Sequence, residues 1–144
     1  MSVVLLDTNV VSELMRPVPG AAVLDWFAGC DPTALHLSTI SEAELRAGAA
    51  FLPPGRRRDA LTAAIDAMIA EEFRGRMLGF DGAAVRAYAA VAAERRAAGR
   101  PIATTDCQIA AIARAHGAAV ATRNVDDFSG CGVAVVDPWA GAMA

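Results

Sequence analysis

The sequence predicts an α/β domain built around a mainly parallel sheet, on three observations. Short apolar runs rich in β-branched residues alternate with longer segments whose apolar residues recur at helical spacing. The short runs are apolar throughout, as strands covered on both faces are, rather than alternately apolar and polar. The length, 144 residues, suits one domain that buries roughly two-thirds of the surface its unfolded chain exposes.

The elements follow in order. Ser2–Leu6 is a strand that stops at Asp7, and Thr8–Met15 is a helix ended by Arg16-Pro17-Val18-Pro19-Gly20. Ala21–Ala28 is a second short helix with Val23, Leu24 and Phe27 on one stripe. Leu35–Ile40 is the second strand. Ser41 and Glu44 have capping-box spacing and predict the start of a helix that ends before Pro53-Pro54-Gly55. Arg56–Glu72 carries Leu61, Ile65, Met68 and Ile69 at helical spacing, and Met77–Phe80 is a short strand. Asp81 caps a helix to Ala98, closed by Gly99-Arg100-Pro101. Thr105 or Asp106 starts another, with Ile109, Ile112 and Ala113 facing inward, ending at His116-Gly117. Ala118–Ala121 and Val133–Val136 are late strands. With no repeat and no linker, residues 1–144 read as a single domain.

Composition excludes whole classes of chemistry. Alanine supplies 34 residues, which favours helices at little cost, and all 13 basic residues are arginine. Without lysine there is no phosphate loop of the Walker type and no Schiff-base catalysis. Two histidines and three scattered cysteines are too few for a Cys/His zinc cluster. Cys30, Cys107 and Cys131 are odd in number, which argues against a disulfide framework and for a reducing cytoplasm. No apolar run approaches the ~20 residues of a membrane span, and the first residues lack the basic region of a signal peptide. A net charge of −3 excludes bulk electrostatic binding of nucleic acid but permits local basic patches.

In an open parallel sheet, ligands collect beyond the carboxyl ends of the strands. Acids fall at those ends in four separate segments: Asp7, the pair Glu42 and Glu44, Asp106, and Asp126 with Asp127 beside Asn124. Each has an ordinary reading: Asp7, Asp81 and Asp106 as helix caps, Glu44 as half of a capping box, Asp126 and Asp127 as solvated turn residues. Brought together, several carboxylates repel and call for a cation. Oxygen-only ligands suit Mg²⁺ or Mn²⁺, which activate water and stabilise charge in phosphodiester hydrolysis. The combination points to a nuclease.

The ordered motifs LLDTNVVSELMRP, LSTISEAELRAG, GRPIATTDCQIAAIARAHG, VATRNVDDF and VDPW span essentially the whole chain. In this set the sequence resembles the PIN-domain ribonucleases, and among them the VapC/FitB-like toxins of type II toxin–antitoxin systems. The resemblance implies a three-layer α/β/α fold and a Mg²⁺-dependent (or Mn²⁺-dependent) endoribonuclease acting on RNA. It implies a cognate antitoxin protein, a homodimer, and a larger complex with antitoxin and operator DNA, with no role for a membrane. By the same resemblance Asp7, Glu44 and Asp106 match the catalytic and metal-binding acids, supported by Thr8 and Asn9. The fourth acid of the family pattern falls on Asn124, a departure that shifts the missing charge to Asp127. Arg123, beside these acids, is the candidate for substrate contact. Arg56-Arg57-Arg58 and Arg95-Arg96 with Arg100 read as solvated helix termini. Leu14, Met15, Trp26 and Phe27 lie where the resemblance places the antitoxin groove, and otherwise read as core.

Two other functions share a strand-end aspartate. Aspartate-nucleophile phosphatases and receiver domains rely on a lysine that this chain lacks, and the phosphatase signature wants an acid where Asn9 stands. A non-catalytic scaffold would not need Asp7, Glu44 and Asp106 together.

Overall fold

The computed structural model describes residues 2–140. The chain runs β1 (Val4–Leu6), α1 (Thr8–Leu14), α2 (Ala21–Ala28), β2 (Leu35–Ser38), α3 (Thr39–Ala50), α4 (Arg56–Ala67) and β3 (Met77–Leu78). It continues through α5 (Gly82–Ala97), α6 (Thr104–Ala115), β4 (Ala119–Ala121), α7 (Val125–Phe128) and β5 (Val135–Val136). The five strands form one sheet in the order β3-β2-β1-β4-β5, with every neighbouring pair parallel. The chain winds from β1 outward to β3, then crosses back to β4, so the topological switch point lies between β1 and β4.

Period-two alternation in β1 explains the layers. Leu5 points into one core with Ile109, Ile112, Val120 and Phe128. Leu6 points into the other with Val10, Val11, Leu37 and Ala121. The sheet is thus covered on both faces, as the uniformly apolar runs predict, giving the three-layer α/β/α architecture that the resemblance implies. The alanine content has a use here: Ala84, Ala110 and Ala113 are fully buried in the first core, which α5 and α6 share.

Several boundaries differ from expectation, each for a local reason. The capping box at Ser41 and Glu44 does not form. Ser38 takes the cap, its Oγ accepting the Ser41 N–H at 3.0 Å, so β2 ends at Ser38 and the helix begins at Thr39. Glu44 is thereby left free in the second turn. The segment from Arg56 is helical to Ala67, then widens into a π-type turn over Met68–Glu72, closed by Phe73 N–H onto the Met68 carbonyl at 3.1 Å. This turn places Phe73 in the same core as Ile65. Asp81 caps α5 through Ala84 N–H, and Gly99, at φ +72°, lets the chain reverse so that Arg100 N–H returns to the Arg95 carbonyl. Helix α6 starts at Thr104, which puts Asp106 inside its first turn rather than at the cap. The short α7 was not expected. Among the described residues Cys30, Cys107 and Cys131 are free thiols, and no helix is long and apolar enough to cross a membrane.

Candidate active site at the switch point

The first strand delivers Asp7 to the sheet edge, buried at 6% exposure. One carboxylate oxygen accepts the Thr8 N–H at 2.8 Å, so Asp7 does serve as the cap of α1. The other accepts the hydroxyl proton of Thr122 at 2.8 Å, reaching across to the end of β4. Capping and site roles therefore coincide in one residue.

Thr122 is the hub of this junction and has no exposed surface. Its oxygen also accepts the Asn124 N–H at 3.0 Å and the Asn9 side-chain amide at 3.4 Å, while Asn9 Oδ1 accepts the Arg123 N–H at 3.3 Å. On the other side, the Thr8 hydroxyl donates to Glu44 at 2.5 Å and lies 2.9 Å from Ser41 Oγ. A hydroxyl has one proton to give, so Ser41 is the donor in that second contact. Thr8 and Asn9 thus tie the start of α1 to α3 and to the segment after β4.

These bonds frame an open cleft of about 580 Å³ lined by Asp7, Thr8, Asn9, Ser12, Glu13, Arg16, Glu44, Asp106, Arg123, Asn124 and Trp139. Three of the four expected acids face it. Asp127 does not line it, but its charge acts on both Asp7 and Asp106. Glu42 is spent elsewhere, paired with Arg46 at 2.8 Å. Burial, then the charges of Asp7, Asp127 and Glu44, push the half-buried Asp106 carboxyl up to about 6, against a weaker opposite pull from Arg95. Asp7 is likewise raised, chiefly by burial, with the Thr122 and Thr8 hydrogen bonds acting in the other direction. The acids therefore share one field that protein cations do not neutralise.

The donor set is oxygen only, which fits a hard divalent cation. Among the described residues no three carboxylate, histidine or cysteine side chains close around a single point. A cation with one or two protein carboxylates, completing its shell with water and substrate oxygens, is the Mg²⁺ pattern, so the cleft suits that ion better than a caged metal.

The arginines sort differently from expectation. Arg123 lines the cleft, with its guanidinium carbon 5.1 Å from the Trp139 ring centre. Arg96 is exposed, but Arg95 is buried at 6% and is not a solvated terminus. Its Nε donates to the Arg100 carbonyl at 2.7 Å, and its Nη1 donates to the Asp127 and Ser129 carbonyls at 2.8 and 2.9 Å. Arg95 thus fastens the loop that leads into α6, whose first turn carries Asp106, to the α7 segment that carries Asp127. Reading the sequence alone also missed Thr122, Glu13 and Arg16. The only signal for Thr122 was its place directly after a late strand, in ATRN.

Fold and site together define a doubly wound α/β domain with an acidic cleft at its switch point. Residues 4–130 match the PIN domain family, and the chain belongs to that family. It is 46% identical over 136 residues to the plasmid stability protein StbB of Pseudomonas syringae pv. tomato, covering 94% of this chain and 98% of that protein. It is 40% identical to the VapC ribonuclease Y4jK of Sinorhizobium fredii over 94% of this chain and 97% of the relative. Among solved structures, that of FitAB bound to an IR36 DNA fragment superposes with a TM-score of 0.89 at 38% identity, covering 94% of this chain and 95% of the other.

Proposed function

We propose that this protein is a Mg²⁺-dependent or Mn²⁺-dependent endoribonuclease and the toxic component of a toxin–antitoxin pair. The observation that carries this reading is the convergence of Asp7, Glu44 and Asp106 on one cleft at the switch point of a PIN domain. Asp7 and Asp106 are the principal residues that would hold the cation, aided by Glu44 and Asp127, and the ion would neutralise phosphate charge and activate water. Thr122 and the Thr8 amide orient Asp7, and Thr8 fixes Glu44. Hydrolysis proceeds in line at phosphorus without a covalent enzyme intermediate.

The partner expected from the resemblance is an antitoxin polypeptide, and the pair would also engage operator DNA. An apolar groove of about 370 Å³, lined by Leu14, Met15, Leu24, Phe27, Met68 and Phe73, supports the antitoxin part of this reading. Trp26 is partly buried against the adjoining core instead. A homodimer acting in the cytoplasm completes the proposal.

Purified protein is expected to cut single-stranded RNA with Mg²⁺ or Mn²⁺ and to stop when the metal is chelated. Asp7→Ala is expected to slow cleavage on the order of 10³-fold, because several kcal/mol of charge stabilisation are lost. Undiminished cleavage by Asp7→Ala would overturn the site assignment, and an acyl-phosphate trapped on Asp7 would favour phosphoryl transfer instead. The departure at Asn124 gives a finer expectation. Asn124→Ala should reduce cleavage less than Asp7→Ala does, whereas Asp127→Ala should weaken Mn²⁺ binding measured by calorimetry. Wild-type Mn²⁺ affinity in Asp127→Ala would make that residue part of a turn and nothing more.

A further inference from the structure

A floor of carboxylates cannot hold an RNA backbone by itself, and one wall of the same cleft carries the opposite charge. Arg16, at the end of α1, and Arg123, after β4, both line it. Glu13, 9% exposed, lines the cleft with them, and its carboxylate accepts the Gly20 N–H at 2.8 Å and binds Arg16 Nη1 at 3.2 Å through both oxygens. The Gly20 hydrogen bond is the largest influence holding the Glu13 carboxyl below its usual range, and the charges of Arg16 and Arg123 act in the same direction. Glu13 is therefore engaged by a backbone and a guanidinium donor, and serves as the anchor for Arg16 rather than as another member of the acidic floor.

The two arginines retain unused donors. Arg16 spends only Nη1 on Glu13, its side chain is 64% exposed, and its Nε and Nη2 bond no protein acceptor among the described residues. The Arg123 guanidinium makes no hydrogen bond or ion pair among the described residues and is held instead over the Trp139 ring. Ordering a planar guanidinium fork in advance lowers the entropy lost when it meets phosphate oxygens. The remaining arginine clusters are elsewhere: Arg95 is buried, Arg100 donates to the Asp126 carbonyl, and Arg56–Arg58 begin α4.

We propose that Arg16 and Arg123 form a two-point clamp for the phosphates of single-stranded RNA, with Glu13 and Trp139 as its positioning residues. The clamp rests on the nuclease reading and names the part of the cleft that binds the backbone. Planar forks beside an acidic floor would hold the RNA by its phosphates while the carboxylates attend to the bond being cut. The wall carries no sequence preference, since phosphates are the same at every nucleotide.

The test is fluorescence anisotropy with a fluorescein-labelled single-stranded 12-nucleotide RNA in the presence of EDTA, repeated across a salt series. Arg16→Gln and Arg123→Gln are each expected to weaken binding about tenfold at low salt. Each should lower the slope of log affinity against log salt by about 0.7, the value for one phosphate contact on a single strand. Trp139→Phe, which keeps an aromatic face under Arg123, should retain most of the affinity, while Trp139→Leu, which leaves the Arg123 charge unsupported, should weaken binding with a smaller change in slope than Arg123→Gln. Arg16→Lys, which keeps the charge and the surface position, should fall between wild type and Arg16→Gln. With Mg²⁺ present, the glutamine variants should raise KM while largely sparing kcat. Wild-type affinity and slope in both glutamine variants would overturn the clamp, as would an unchanged RNA affinity coupled to lost binding of a co-expressed partner polypeptide. If the wild type binds RNA with the expected slope but never cuts it, the nuclease reading fails and the clamp stands. If it cuts RNA and the slopes do not move, the clamp alone fails.

Discussion

Replacing Asp106 by asparagine is expected to make the metal-free protein more stable at neutral pH while removing its activity. The Asp106 carboxyl is pushed up to about 6 by burial and by Asp7, Asp127 and Glu44. A carboxyl raised in this way contributes stability that is complete below its unfolded value near 3.8 and is lost as pH rises through about 6. At pH 7 its charge therefore works against the fold. The full shift corresponds to about 3 kcal/mol, and half-exposure to solvent screens this to about 1–2 kcal/mol. For a domain of this size that is a gain of several degrees in Tm, about 3–6 °C. The same change is expected to slow RNA cleavage on the order of 10³-fold. Thermal melts at pH 4 and pH 7 without metal test the first part: the gain over wild type should be present at pH 7 and absent at pH 4. Added Mn²⁺ should then stabilise the wild type and leave Asp106→Asn nearly unmoved. A variant less stable than wild type at pH 7 would show that Asp106 is a structural carboxylate rather than a repelled one.

The largest stability loss is expected from Arg95→Met. Methionine has similar length and packs well, but it leaves the Arg100, Asp127 and Ser129 carbonyls without their donor. The three carbonyls are part-buried, and each lost partner costs about 1 kcal/mol or more, so about 3 kcal/mol is expected in urea unfolding. That is a large share of the 5–15 kcal/mol typical of a domain. Its neighbour supplies the control: Arg96 is exposed, and Arg96→Met should stay within about 0.5 kcal/mol of wild type. Arg95→Lys keeps the charge but not the fork, and should recover only part of the loss. Equal stability of the two methionine variants would contradict the role assigned to Arg95.

These two arginines mark the boundary of what the residues reveal before folding. Arg95 and Arg96 are identical letters in one helical turn, and only the position of the helix against the α7 turn decides which is buried. The same holds for serines: Ser38 and Ser41 both precede a helical pattern, and the choice of Ser38 as cap depends on where β2 stops pairing with its neighbours, at Leu37 for β1 and at Ser38 for β3. Local signals fared better. The uniformly apolar run ending at Asp7, the cap at Asp81 and the glycine closing α5 are each decided within a few residues, and each stands as expected.

The site divides along the same line. Asp7, Glu44 and Asp106 were visible because they stand at strand ends or helix starts, where a parallel sheet gathers ligands. Thr122 was not, because its meaning comes from a hydrogen bond to a residue 115 positions away. Glu13 was hidden in the same way: on α1 it reads as one more helical acid, and its burial follows from the turn at Gly20 folding back onto it. The preference for Glu44 over Glu42 rested on resemblance. Its structural counterpart is that Glu42 pairs with Arg46 while Glu44 faces the cleft.

The proposed function requires a divalent-cation site where β1 and β4 diverge. Mn²⁺ titration followed by electron paramagnetic resonance tests this most directly, because free and bound ion are counted without any catalytic step. Wild-type protein is expected to bind Mn²⁺ saturably, with Mg²⁺ competing, and Asp7→Asn to lose that binding while melting cooperatively. Mn²⁺ bound equally by wild type and Asp7→Asn would contradict it.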